Sequence, residues 1–477
     1  MKPLEFIVGG QKRKSEIAKP VRFPYNDEVV AEVYEATEAD IEAAIGASVQ
    51  GFAITRKLPA HARSRILGNL FERMEKRADE LVYALSMEGG KTQNVAKGEV
   101  ERARETVRIA AEEALRINGE ILSIDLTPAG EGRLGFVRRF PLGPVVGIAP
   151  FNYPLNLACH KLAPAVAAGN SFILKPASAT PLSGLLLGEM LLEAGYPGEA
   201  LSVVVTPGAR AEKLVRDPRV AFVSFTGSSE VGWHLKDIAG RKRVGLELGG
   251  NAAAIVHEDA HIDYAVSRIV MGGFINAGQN CISVQRVLVH RPVYGQVVEK
   301  IAARTRALKV GDPRLPQIEI GPMINQKAAQ DAWQKVEEAL AQGAKILVGG
   351  KVEGTLFEPT VLIDTQPGMR VNQEELFAPV ITITPYDDFT QALALANDTD
   401  FGLQSGLFTQ NMNRIMRAFE EIEVGGLQVN DVSTFRVDHM PYGGVKGSGV
   451  GREGPRYAIE EMTEQKLMVL NLPGGKE

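Results

Sequence analysis

The sequence predicts an α/β protein with two domains built on mostly parallel sheets and a small β extension beside them. Three observations carry this. A chain of 477 residues exceeds what one ordinary hydrophobic core organises. Short apolar runs at 145–148, 172–174, 201–205 and 220–225 alternate with segments of helical periodicity. A second series of strands and helices runs from residue 253 to about 425.

The elements follow in order. Thr37 with Asp40 three positions on, then Ile41, Ala44 and Ile45, predicts a capped helix. Ile66, Leu67, Leu70, Phe71 and Met74 form the apolar stripe of a second helix after Pro59. From Pro144 the βαβ alternation begins; strands separated by helices build a parallel sheet covered on both faces, a Rossmann-like architecture that binds nucleotides beyond its carboxyl strand ends. Residues 120–140, around Pro128 and Gly130, and the tail 466–472 alternate like edge strands in search of a partner, which predicts a homo-oligomer, dimer or tetramer. The expected division is 1–118 and 139–248 for the Rossmann-like domain, 249–430 for the second α/β domain, and 119–138 with 463–477 for oligomerisation strands.

Composition excludes several classes. A net charge of −5 with no long basic run argues against nucleic acid as partner. The most apolar stretch, 155–168, is broken by His160, Lys161 and Pro164 and falls short of the roughly 20 residues of a membrane span. The first ten residues, with Lys2, Pro3 and Glu5, lack a secretory layout. Cys159 and Cys281 are too few for a disulfide framework or an all-cysteine zinc site; no metal is expected, and the compartment expected is the reducing cytoplasm.

Five segments carry candidate chemistry. Cys281, in GQNCIS after a glycine-bearing helix at 271–277, is either a small buried hydrophobe or a nucleophile, and the latter needs a donor-rich setting to form thiolate. Glu247, in LELGGN, is a solvated carboxylate at a glycine turn or a general base. Asn152, in PFNYP, caps the following helix or aims its amide at a developing oxyanion. Lys175, held out of helical conformation by Pro176, is a surface lysine or one that reaches nucleotide hydroxyls and phosphates from a strand end. The run Phe225, Thr226, Gly227, Ser228 continues to Val231 as strand, turn and helix start, where amides can receive a pyrophosphate.

In combination these motifs resemble the aldehyde dehydrogenase superfamily over nearly the whole chain. PFNYP, LKP, FTGS, LELGG, GQNC and EELFAP occur in that family's order, with 281 − 247 = 34 residues between Glu247 and Cys281. The resemblance implies that Cys281 adds to an aldehyde, with the oxyanion held by Asn152 and the Cys281 N–H. It implies further that Glu247 activates the water that hydrolyses the thioester, and that Lys161 and Glu453 relay the proton. The implied cofactor contacts are Ala149, Pro150, Phe151, Lys175, Ala177, Ser178, Phe225, Thr226, Gly227, Ser228, Val231, Leu248, Glu375 and Phe377. Ala378 departs from the family's glycine after Phe377.

The implied cofactor is NADP or NAD. Ser178 occupies a position where many NAD-preferring members carry Glu, so NADP is favoured over NAD. Thr206, Pro207, Gly208 and Ala209 also depart from a glycine-richer version. The closest likeness is to non-phosphorylating glyceraldehyde-3-phosphate dehydrogenases and lactaldehyde dehydrogenases. By that likeness Arg102, Tyr153, His160, Asn280, Ile282 and Arg436 contact the substrate, with the two arginines converging near Cys281 on an anionic end. Asn280 stands where some phosphate-handling members carry another arginine. The expected activity is oxidation of a small hydroxylated or anionic aldehyde to its acid. Alternatives are a lactaldehyde or succinate-semialdehyde type substrate, a CoA-acylating dehydrogenase, which typically lacks the glutamate, and a non-catalytic scaffold.

Overall fold

The computed structural model describes residues 2–471. The helix Glu38–Thr55 begins where the sequence places it: Thr37 Oγ1 accepts from the Asp40 N–H at 3.2 Å, and Asp40 Oδ2 accepts from the Thr37 N–H at 3.0 Å. The next helix, Ala60–Lys76, buries Ile66, Leu67, Leu70 and Met74, while Phe71 lies half-buried under the Arg104 guanidinium. The apolar stretch read as too short for a membrane is the helix Pro154–Ala168, buried at every position and closed by Gly169 in the left-handed conformation at φ 92°. No described helix is long and apolar enough to cross a membrane.

One sheet has eight strands. Its five central members are parallel, in the order Leu201–Val203, Phe172–Lys175, Val145–Ile148, Phe222–Thr226, Arg243–Glu247. Antiparallel strands flank them, Phe6–Val8 and then Gln11–Arg13 on one side, Gly449–Val450 on the other. The chain moves outward from Val145–Ile148 through the first two crossovers and then returns to Phe222–Thr226 on its other side. The crevice beyond the carboxyl ends of these two strands is therefore the topological switch point where doubly wound sheets bind ligands.

The second sheet has seven strands, Lys345–Val348, Thr360–Ile363, Val380–Tyr386, Val284–His290, Ala252–Val256, Gln404–Phe408 and Gly426–Val429, parallel except at the Lys345–Val348 edge. Residues 431–462, assigned to no unit above, return to the first sheet through Gly449–Val450 and pack the helix Pro455–Glu461 on Pro154–Ala168. A third, antiparallel sheet joins Thr463–Asn471, Arg133–Pro141 and Glu120–Ser123, the first two paired over nine residues. The tail expected at 466–472 is thus a longer strand that begins at Thr463, and positions 472–477 of the expected oligomerisation segment lie outside the described residues.

Candidate active site

The helix before the nucleophile differs from the expected 271–277. It spans Ile262–Phe274, and a short 3₁₀ segment follows in which Asn276 and Ala277 take left-handed backbone at φ 54° and 55°. Neither residue is glycine, so the sequence carries no signal for this kink. The conformation is held by side chains: Gln279 donates to the Asn276 and Pro322 carbonyls and accepts from the Ile324 N–H, while Asn276 donates to the Asn152 and Gln279 carbonyls. Gly278, at φ 68°, abuts the backbone of Ala378, where a Cβ would stand 2.1 Å from the carbonyl oxygen. GQNC therefore packs on EELFAP, and Cys281 follows in a turn closed by the Ser283 N–H donating to the Asn280 carbonyl at 2.9 Å.

Two cavities meet at Cys281. The larger, about 710 Å³, occupies the switch-point crevice and is lined by every residue assigned above to the cofactor, from Ala149 to Phe377. Lys175 is not a surface lysine. It is 7% exposed, has no carboxylate partner among the described residues, and burial lowers its pKa to about 8. Below it the helix Ser229–Ile238 points its amino end at the crevice. A buried cation without a counter-charge and a row of strand ends fit the ribose and phosphates of a dinucleotide. Gly249 and Gly250 permit close approach: the Glu375 carboxylate accepts from the Gly250 N–H at 2.9 Å, and a Cβ on Gly249 would stand 2.5 Å from it. Burial raises Glu375 to about 7.

The smaller cavity, about 120 Å³, is lined by Arg102, Tyr153, Asn280, Ile282 and Arg436, together with Thr434 and Tyr442, which sequence reasoning missed. His160 does not reach it. Buried behind the wall, His160 lies 2.9 Å from Asp438 and 3.1 Å from Arg436, and burial and Arg436 lower its pKa. The two arginines do share this cavity with Cys281, but neither is a bare cation. Arg102 makes a two-pronged pair with Asp438, at 2.8 and 3.2 Å, and Arg436 bonds Glu453 at 2.9 Å. Burial opposes the charge on Asp438, yet His160 and Arg102 hold its carboxyl well below the usual range. The Arg436 Nε–H and the Thr434 hydroxyl remain without partners among the described residues.

Asn152 lines both cavities. It does not cap the following helix, whose N-cap is Tyr153 without a side-chain cap bond. Instead its amide donates to the Gln279 carbonyl at 3.2 Å and its oxygen accepts from the Tyr153 N–H. The Cys281 N–H carries no hydrogen bond among the described residues. Glu247 is no solvated carboxylate: it is 5% exposed, Oε2 has no partner among the described residues, and burial with the neighbouring Glu453 carboxylate raises its pKa well above the ordinary value. A Cβ on Gly443 would lie 2.9 Å from its other oxygen, so the 443–451 glycines are the signal that could have tied this loop to the site. Lys161 Nζ donates to Glu453 at 3.1 Å and to Thr226 at 2.6 Å. Burial would raise Glu453, but Lys161 and Arg436 outweigh it and hold the carboxyl down to about 2. Cys281 departs from the donor-rich setting expected of a nucleophile: burial pushes the thiol up to about 12, and a hydrogen bond with the Tyr442 hydroxyl at 3.1 Å only partly offsets this.

A doubly wound sheet whose switch-point crevice fits a dinucleotide, with Cys281 in its wall, is the framework of an NAD(P)-dependent oxidoreductase. A family model described as the aldehyde dehydrogenase family matches residues 11–468, and the chain belongs to that family. It is 44% identical over 473 residues to a 3-sulfolactaldehyde dehydrogenase of Priestia aryabhattai, covering 99% of each chain. It also matches the structure of aldehyde dehydrogenase 21 from Physcomitrella patens in complex with the reaction product succinate, at 40% identity and TM-score 0.97 over 100% of both chains. The NADP-dependent glyceraldehyde-3-phosphate dehydrogenase from Bacillus halodurans, solved with NADP, matches at 34% identity and TM-score 0.96 over 99% of this chain and 100% of that one.

Proposed function

We propose that the enzyme oxidises a short aldehyde carrying a hydroxyl or a terminal anion to the carboxylic acid, through a thioester on Cys281. The observation that carries the substrate class is the small cavity itself: about 120 Å³, walled by Arg102 and Arg436, with the Arg436 Nε–H and Thr434 hydroxyl unpartnered. These donors suit a sulfonate, phosphate or carboxylate two or three carbons from the aldehyde. The relatives' names, 3-sulfolactaldehyde, succinate and glyceraldehyde 3-phosphate, share that chemistry.

In this reading Lys175, Ser178, the Ser229–Ile238 helix start and Glu375 hold the dinucleotide, which supplies a hydride acceptor when bound. The Cys281 sulfur bonds to the aldehyde carbon, and the Asn152 amide and Cys281 N–H receive the charge that moves to oxygen. Glu247 takes a proton from the water that then cleaves the thioester, and its raised pKa makes it a stronger base than an ordinary carboxylate. The Glu453 carboxylate, held ionised by Lys161 and Arg436, strengthens Glu247 as a base, and Glu453 with Lys161 lines the path by which the proton leaves. Ser178 offers a hydroxyl rather than a carboxylate to the adenosine ribose, which favours NADP.

The experiment is a comparison of anionic and neutral aldehydes of equal length with Arg436→Leu. Because Arg436 also holds Glu453 and Tyr442, the variant is expected to lose kcat/KM on both aldehydes, but ten- to hundredfold more on the anionic one, in keeping with about 1.5 to 3 kcal/mol for a charge-assisted bond. Equal losses on both would reduce Arg436 to a support for its loop. We further propose that residues 1–118 and 139–248 form the cofactor domain, residues 249–430 the second domain, and the three-stranded sheet the seam of a homo-oligomer. Among the described residues its Thr463–Asn471 edge has no neighbour, and it exposes Leu467, Met468, Val469 and Leu470. Light scattering on Val469→Arg is expected to show a smaller species than the parent enzyme, and an unchanged mass would place the seam elsewhere.

A further inference from the structure

We propose that the Tyr442 hydroxyl is the donor that holds the Cys281 sulfur as thiolate before it attacks. This rests on Cys281 being the nucleophile. The phenol oxygen lies 3.1 Å from Sγ. While the sulfur is a thiol, either atom can donate. Once the thiol proton has left to solvent, the sulfur has none to give, so only the phenol can donate and the bond becomes charge-assisted.

Among the described residues, Tyr442 is the side chain placed to donate a hydrogen bond to Sγ. Asn280 presents its side-chain Oδ1 to Sγ at 3.8 Å, an acceptor that serves the thiol and opposes the thiolate. The Glu375 and Glu247 carboxylates also oppose thiolate formation, and Arg436 favours it from farther off. Tyr442 is fixed for the role. It is 2% exposed, and its N–H and carbonyl are both bonded to the Glu453 backbone. The Arg436 guanidinium covers its ring at 3.6 Å and is tied in turn to the Glu453 carboxylate. A cation on the ring face makes the phenol a stronger donor. Burial keeps its own proton in place, since its pKa stands well above the ordinary value. The same segment thus links the acid–base group Glu453 to the nucleophile.

The test is the pH dependence of Cys281 alkylation by iodoacetamide, followed at that residue by peptide mapping so that the buried Cys159 does not contribute. Tyr442→Phe keeps the ring under Arg436 and removes only the hydroxyl. Its alkylation midpoint is expected to rise by about one to two pH units, the size of one hydrogen bond to a charged group. 3-Fluorotyrosine at position 442, an isosteric and stronger donor, is expected to lower the midpoint, and it serves if the Phe variant does not fold. A midpoint that stays put in both overturns the proposal. If alkylated Cys281 still supports full turnover, the nucleophile assignment itself falls, an outcome distinct from an unmoved midpoint.

Discussion

The two cavities that share Cys281 and Asn152 in their walls are built on different electrostatic plans. In the larger, Lys175 is buried with no carboxylate beside it, and the remaining wall is mostly small or apolar, from Ala149 through Leu248 to Phe377. Around the smaller, every cation has a carboxylate: Arg102 with Asp438, Arg436 and Lys161 with Glu453, Lys91 with Glu99. The first leaves a charge uncompensated, to be met by an anionic ligand large enough to fill the space. The second spends its charges on mutual positioning, because breaking one side of such a buried pair costs about 3 to 5 kcal/mol. A pocket wired this way is rigid, and it selects by the few donors left over. Lys91 illustrates the rule. It lies over the Tyr153 ring at 3.8 Å while Glu99 accepts from the Leu155 and Asn156 N–H groups, so one buried pair fixes both a pocket wall and a helix start.

Asn152, one of the two residues common to both cavities, gives the largest of these expected effects. Asn152→Ala removes a donor from the place where oxyanion charge develops, and kcat is expected to fall about 10² to 10³-fold. Pre-steady-state formation of reduced cofactor should slow by the same factor. A fall under tenfold would mean that Asn152 only braces the Gln279 turn.

The next effect belongs to the uncompensated lysine. Lys175 is protonated below its lowered pKa of about 8 and neutral above it. Cofactor phosphates bind the charged form, so the stabilisation is present below pH 8 and is lost as pH rises through it. The cofactor dissociation constant, measured by fluorescence titration from pH 7 to 9.5, is expected to rise by up to about tenfold per unit beyond pH 8. Lys175→Arg should flatten the profile, since a guanidinium stays charged throughout. A flat profile in the parent enzyme would show that the lysine does not meet the anion.

The same contrast explains what was legible in the sequence. The larger cavity is assembled from consecutive motifs at strand ends, so PFNYP, LKP, FTGS and LELGG each report their position through local turn chemistry. The smaller one is closed by contacts between distant segments. Tyr442 meets Cys281 across 161 residues and Asp438 meets His160 across 278, in a loop without regular structure. Nothing local marks such a meeting. The family resemblance sets His160 against the substrate, but only the packed fold shows that it faces Asp438 and not the cavity. The left-handed pair Asn276 and Ala277 also left no trace, because tertiary hydrogen bonds and not glycine hold it.

The smallest effect tests the wall of the larger cavity. Ser178 lines it at the end of the Lys175 segment, and its hydroxyl makes only a long bond of 3.4 Å to the Thr206 carbonyl, leaving it free to turn toward a ligand. The other carboxylate on this side, Glu212, is matched by Arg216 at 3.1 Å and His234 at 3.0 Å, so it adds little repulsion of its own. Ser178→Glu would introduce an unmatched negative charge. Two like charges about 4 Å apart repel by about 1 kcal/mol in water and about 4 kcal/mol at the dielectric of a protein surface. The ratio of kcat/KM for NADP to that for NAD is therefore expected to drop about tenfold or more, with NAD kinetics close to those of the parent enzyme. An equal loss with both cofactors would mean that the longer side chain blocks the crevice by size. An unchanged ratio would place the 2′-phosphate elsewhere on the wall, and the larger cavity would then discriminate through Lys175 alone.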